Sequence, residues 1–115
     1  MRHKLGYRKL NRPTDQRLAM LRSQSIALIK HGRIKTTVTR AKELRRTIEK
    51  LITVSRKGDL FSKRKLFAAL RNKEAVKLLG AMQDKFEGRA GGYTRITRIG
   101  TRRGDAVELA QIEIL

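Results

Sequence analysis

Five cations fall between positions 40 and 50 of this chain: Arg40, Lys42, Arg45, Arg46 and Lys50. Side chains of this kind bind polyanions, phosphate above all. Lysine is a mobile point charge, and arginine presents a planar donor fork that matches two phosphate oxygens. Arg95, Arg98, Arg102 and Arg103 form a second cluster, with Tyr93 and Thr94 just before it. Arg33 and Lys35 stand beside Thr36 and Thr37, whose hydroxyls suit phosphate or a ribose 2′-OH, as do those of Thr94 and Thr97. A third group opens the chain: Arg2, His3, Lys4, Arg8, Lys9 and Arg12, with no acid among them and with Tyr7 able to stack on a base.

Catalytic chemistry has little to work with. His3 belongs to the basic opening and His31 to a helix end, where a phosphate contact or a cap explains each better than a general base does. The acids form no pair beside a histidine; Glu43 and Glu49 flank helical cations, where ion pairing is the simpler account. The stretch Gly88-Arg89-Ala90-Gly91-Gly92 has neither the spacing nor the lysine of a phosphate-binding loop. Cysteine is absent, which rules out disulfides and thiolate metal sites. No enzyme, metal, cofactor or small-molecule substrate is expected.

Charge defines the class of partner. The 115 residues carry 29 Lys and Arg against 10 Asp and Glu, a formal charge of +19. Self-repulsion on so small a body calls for a neutralising partner, and phosphate is the obvious one. Residues 1–58 hold 17 cations and 3 acids, so the first half dominates the field. A hydrophobic content of 39% still supports one folded domain with a small core. The opening MRHKLGYRKL has charge but no apolar stretch behind it, so no secretory signal is expected, and the longest apolar run, residues 66–70, is far too short to span a membrane.

The elements that must position these cations follow from periodicity. Thr39–Lys57 reads as a helix: Ala41, Leu44, Ile48, Leu51, Ile52 and Ser55 recur at three and four and share a stripe, with the cations largely off it. Thr39 is the expected cap and Gly58 the expected left-handed stop. A first helix is expected over 14–31, capped by Thr14 after Pro13. Its stripe is Leu18, Leu21, Ser25, Leu28 and Ile29, Gly32 ends it, and Arg17 and Arg22 lie off the stripe. Between the helices, Arg33–Val38 alternates like a short strand; the connector is too long and too β-branched to favour a helix-turn-helix.

Residues 59–80 suggest two shorter helices. The first has an apolar face of Leu60, Phe61, Leu66, Phe67 and Leu70, with both phenylalanines expected in the core. The second is capped by Asn72 and closed by Gly80. One more turn over 81–88 would turn Met82 and Phe86 inward. Residues 93–99 and 106–115 read as a hairpin around a 100–105 turn. The apolar register switches within 106–115, which suggests a bulge there or burial on both faces. The fold class is therefore α+β: several helices on a small mixed sheet of about three short strands. Residues 1–13 form a basic N-terminal arm and residues 14–115 a single domain. The arm's few apolar residues cannot offset the entropy of ordering it, so it is expected to order on nucleic acid.

At this point the residues carry a resemblance. The blocks Met1-Arg2-His3-Lys4, Arg8-Lys9-Leu10, Ala19-Met20-Leu21-Arg22 and His31-Gly32-Arg33-Ile34 with Thr36-Thr37 are similar to the bacterial large-subunit ribosomal protein seventeen family. So are Ala41-Lys42-Glu43-Leu44-Arg45-Arg46, Glu49-Lys50-Leu51-Ile52-Thr53, Gly91-Gly92-Tyr93-Thr94-Arg95-Ile96, Arg103-Gly104-Asp105-Ala106 and Ile112-Glu113. The resemblance runs end to end. It implies an α+β structural component of the large subunit that binds 23S rRNA near the peptide exit tunnel and supports assembly. It also implies contact with neighbouring large-subunit ribosomal proteins, no membrane, and a place in cytoplasmic ribosomes, or organellar ones if nuclear-encoded. The departure lies in residues 72–88, where the family tends to carry a Pro-Arg-Tyr element and this chain reads Gln83-Asp84-Lys85-Phe86. A small basic DNA-binding architectural protein or regulator is the alternative, and binding to folded rRNA rather than duplex DNA at ~0.2 M salt separates the two.

Overall fold

The computed structural model describes residues 12–89 and 91–115. Along the chain come α1 (Thr14–His31), β1 (Arg33–Thr37), α2 (Val38–Ser55), α3 (Leu60–Leu70) and α4 (Lys73–Ala81). One turn of 3₁₀ helix (Gln83–Phe86), β2 (Thr94–Thr101) and β3 (Glu108–Ile114) follow. The sheet order is β1-β3-β2. Both pairings are antiparallel, so the α+β expectation holds while the sheet is not mixed. The last strand of the sequence is thus the central one, flanked by its hairpin partner and by the connector between α1 and α2.

Local chemistry sets the boundaries. Pro13 occupies the N-cap of α1 without a side-chain bond, so Thr14 begins the helix rather than capping it. Proline suits such a start because the N–H it lacks would have no helical partner there. Gly32, at φ 80°, closes α1 in the left-handed region that glycine adopts without strain, and its N–H bonds the Leu28 carbonyl at 2.7 Å. For α2 the cap is Thr37, whose hydroxyl accepts from the Arg40 N–H, and the helix ends at Ser55, two residues earlier than expected. Asp59 caps α3, accepting from the Ser62 N–H at 2.8 Å; the Ser62 side chain, and then this backbone bond, hold the Asp59 carboxyl below the usual carboxylate range. Asn72 caps α4 as expected, though Gly80 lies inside this helix.

Helix α2 is the centre of the packing. Ala41, Leu44, Ile48 and Ile52 are fully buried and meet Leu28 and Ile29 of α1 and Leu66 and Leu70 of α3. They also meet Ala110 and Ile112 of the sheet. Burying each large aliphatic side chain contributes about 1.5–3 kcal/mol, so this one helix organises most of the core. The 3₁₀ turn brings Phe86 into the same core, where it meets Tyr93 edge to face at 5.2 Å.

Several expected core residues are outside. Leu18 is 51% exposed, Phe61 66% and Phe67 44%, and Leu60 is exposed too. Helix α3 is buried on one side only, along its own Ser62, Leu66 and Leu70 at spacings of four, and its remaining apolar residues face outward. Phe61 instead lies under the Lys65 ammonium, 5.1 Å from the ring centre. The bulge belongs to β2: the register steps from Arg98↔Ala110 to Gly100↔Leu109, which leaves Ile99 as the extra residue. It lies opposite the stretch of β3 whose apolar register switches.

Candidate nucleic-acid interface

The face of α2 turned away from the core carries Lys42, Arg46 and Lys50 at successive spacings of four, with Arg45 beside them, all exposed. Two acids share the helix, and they pair with Arg46 and Arg45 rather than with the lysines. The Glu43 side chain is 4% exposed and its Oε1 sits 3.6 Å from Arg46 Nη1. Glu49 Oε2 lies 3.7 Å from Arg45 Nε, while its Oε1 accepts the Tyr93 N–H at 2.9 Å and so anchors the start of β2 to α2. Among the described residues, Lys42 and Lys50 are in no ion pair. A shallow depression of about 510 Å³ opens beside the row between Arg46, Lys50, Thr53 and Gly91. Arg40, on the same helix, is half-buried.

A second basic surface is the outer face of the sheet. Ile34, Ile96, Ala110 and Ile112 pack toward the helices, so alternation turns Arg33, Lys35, Arg95 and Thr97 outward. Register places Arg33 and Arg95 on either side of Glu113, and Lys35 and Thr97 on either side of Gln111. Arg95 takes that carboxylate, with Nη2 2.8 Å and Nε 2.9 Å from Glu113 Oε1. One acid thus stands among three cations on this polar face.

The tip of the β2–β3 hairpin is basic in sequence and nearly balanced in space. Arg98 Nη1 is 3.1 Å from Glu108 Oε2, and Arg102 Nε is 3.2 Å from Asp105 Oδ1. The bond from Arg102 holds the Asp105 carboxyl below the usual carboxylate range and pushes the guanidinium pKa up in turn. Backbone bonds fix the turn: Arg102 N–H to the Val107 carbonyl at 2.8 Å and Ala106 N–H to the Arg102 carbonyl at 3.1 Å. Gly104 sits at φ 102°, a conformation that favours glycine. Arg103 is exposed and, among the described residues, in no ion pair.

The structure separates other candidates from these surfaces. Tyr93 is 1% exposed and Thr94 4%, so neither ring nor hydroxyl is presented to a surface ligand. Tyr93 packs in the core against Phe86, and Arg56 Nη1 donates to its hydroxyl at 3.0 Å and also bonds the Arg89 carbonyl. Arg56 is a positioning residue that the sequence does not reveal, since nothing in it ties positions 56 and 93. Thr37 is occupied as the α2 cap, and Thr36 Oγ1 accepts from Gln24 Nε2 at 3.4 Å. Arg17 and Arg22 are half-buried on α1. Arg12 is exposed, whereas Arg2, His3, Lys4, Arg8 and Lys9 lie outside the described residues, as does most of the arm. Among the described residues no group of His, Asp and Glu could hold a metal, and no helix is long and apolar enough to cross a membrane.

Comparison with known proteins agrees with this picture. Residues 20–115 match the family described as Ribosomal protein L17. The protein named Large ribosomal subunit protein bL17 of Campylobacter hominis is 52% identical over 116 aligned positions, covering 100% of this chain and 98% of the relative. Proteins of the same name from Sulfurimonas denitrificans and Helicobacter pylori are each 53% identical, with 100% of both chains covered.

Proposed function

This chain belongs to the ribosomal protein L17 family, and we propose that it is a structural constituent of the large ribosomal subunit, binding 23S rRNA near the peptide exit tunnel and supporting subunit assembly. It is not an enzyme. It works in the cytoplasm as part of the ribosome, among neighbouring large-subunit proteins.

The observation that carries the reading is the α2 row Lys42–Arg46–Lys50, whose helix is fixed to the core on its other side and whose two lysines are in no ion pair among the described residues. A rigid helix with cations at one-turn spacing can follow a phosphate backbone without ordering long loops first, which lowers the entropic cost of binding. The sheet face with Arg33, Lys35 and Arg95 offers a second contact region, and residues 1–13 form an arm that orders on the RNA. The duplex-DNA alternative has less support, because the relatives matched over the whole chain carry a ribosomal name.

Crosslinking in cells, followed by sequencing of the attached RNA, tests this. The expected result is 23S rRNA joined to peptides containing Lys42 or Lys50. Recovery mainly of chromosomal DNA would contradict it.

A further inference from the structure

Helices α3 and α4, with the end of α2, enclose a groove of about 550 Å³ that lies on neither basic surface described above. Its size is within the roughly 300–1,000 Å³ of small-ligand clefts. The walls are Leu66, Phe67 and Val76, and Phe67 keeps 44% of its surface open. Lys63, Lys73 and Lys77 stand at its rim. None of the three is in an ion pair among the described residues, and Glu74, next to Lys73, is turned to Lys30 at 3.6 Å. Ser55 and Gln83 also line it. Gln83 Nε2 donates to Ser55 Oγ at 2.7 Å and to the Leu79 carbonyl at 3.1 Å. Both amide hydrogens are thereby engaged, and the Gln83 carbonyl oxygen remains as an acceptor.

We infer that this groove receives an extruded nucleobase of single-stranded RNA, with its flanking phosphates on Lys63, Lys73 and Lys77. An aromatic wall beside a cation rim is the arrangement that holds an unstacked base, and the Gln83 acceptor fits a base edge that donates, such as an imino or exocyclic amino group. An acidic protein segment would also meet the lysines. Its aliphatic anchor would leave that acceptor unpaired, so the base is the better occupant. The inference rests on the RNA-binding reading above and adds a site that distinguishes single strands from helices.

The test uses the whole protein with two probes, a ten-nucleotide oligouridylate and an A-form RNA duplex of equal phosphate number. The variant is Phe67→Leu, which keeps an apolar side chain at this half-exposed position. Affinity for the single strand should fall about fivefold or more, since an aromatic stacking contact is lost, while duplex affinity stays unchanged. Equal loss for both RNAs, or no loss for either, would overturn the inference. So would a protein carboxylate crosslinked to Lys73 or Lys77 in isolated large subunits, which would assign the groove to a protein neighbour. Failure of the unaltered protein to bind either RNA would instead overturn the RNA-binding reading, and the groove with it.

Discussion

Helix α2 carries five cations and the β2–β3 hairpin four, yet α2 leaves its two lysines unpaired among the described residues while the hairpin pairs three of its four arginines. On α2 Glu43 is buried beside Arg46 and Glu49 is shared between Arg45 and the Tyr93 N–H, while Lys42 and Lys50, in no ion pair among the described residues, remain available. On the hairpin, Arg98 meets Glu108 across the strands, Arg95 meets Glu113, and Arg102 meets Asp105 three residues on. A strand pairs residues far apart in sequence, so Arg95 and Arg98 are neutralised by acids that a linear reading does not place beside them. Available charge depends on register as much as on composition. Each exposed pair adds little stability, but a guanidinium already engaged has less to offer a phosphate.

The largest expected effect lies on the buried side of α2. Leu44→Asp or Ile48→Asp places a carboxylate where the side chain is fully buried, and either should unfold the protein in a denaturant melt. Retained cooperative melting would break the two-faced account of this helix. On the outer side, Lys42→Glu with Lys50→Glu should lower rRNA-fragment affinity by about tenfold or more at ~0.1 M salt, through lost phosphate contacts, with the melting midpoint nearly unmoved.

Arg56→Ala removes the donor to the Tyr93 hydroxyl and the Arg89 carbonyl. It should destabilise the fold by about 1–2 kcal/mol in the same melts, because the buried Tyr93 hydroxyl loses its donor and keeps only the Arg89 carbonyl as a partner. That result would mark Arg56 as a cation serving structure rather than RNA. The smallest effect concerns the hairpin. Asp105 has a depressed carboxyl pKa, so its pairing with Arg102 is present above the ordinary aspartate range and lost only as pH falls through the lower folded value. Carboxyl titration by NMR should show the Asp105 midpoint below that of an unpaired aspartate, and Arg102→Gln should return it toward the ordinary value.

Much of the fold was legible because its signals are local. The bounds of α1 agree with the expected 14–31, since Pro13 and Gly32 punctuate it. The Asn72 cap and the buried Phe86 followed from the same kind of cue. What escaped was set by tertiary partners. An apolar stripe on α3 says that some face is buried but not how wide the covering layer is, so Phe61 and Phe67 were placed in the core and stand outside it. Tyr93 sits between arginines in sequence and looked like a surface residue. Its burial depends on Glu49 and Arg56, more than thirty residues away. For the candidate site, the α2 cations were legible from spacing, whereas the neutralised state of Arg95 and Arg98 required the hairpin geometry.

The most direct measurement is the salt dependence of rRNA-fragment binding for the unaltered protein and two double variants, Lys42→Gln/Lys50→Gln and Arg98→Gln/Arg102→Gln. With about eight phosphates neutralised, log K against log salt should fall with a slope of roughly −6 to −7. The helix variant should flatten that slope by about 1.5–2, for two lost contacts, and the hairpin variant should leave it nearly unchanged. A flattened slope for the hairpin variant with the helix variant unaltered would contradict the account.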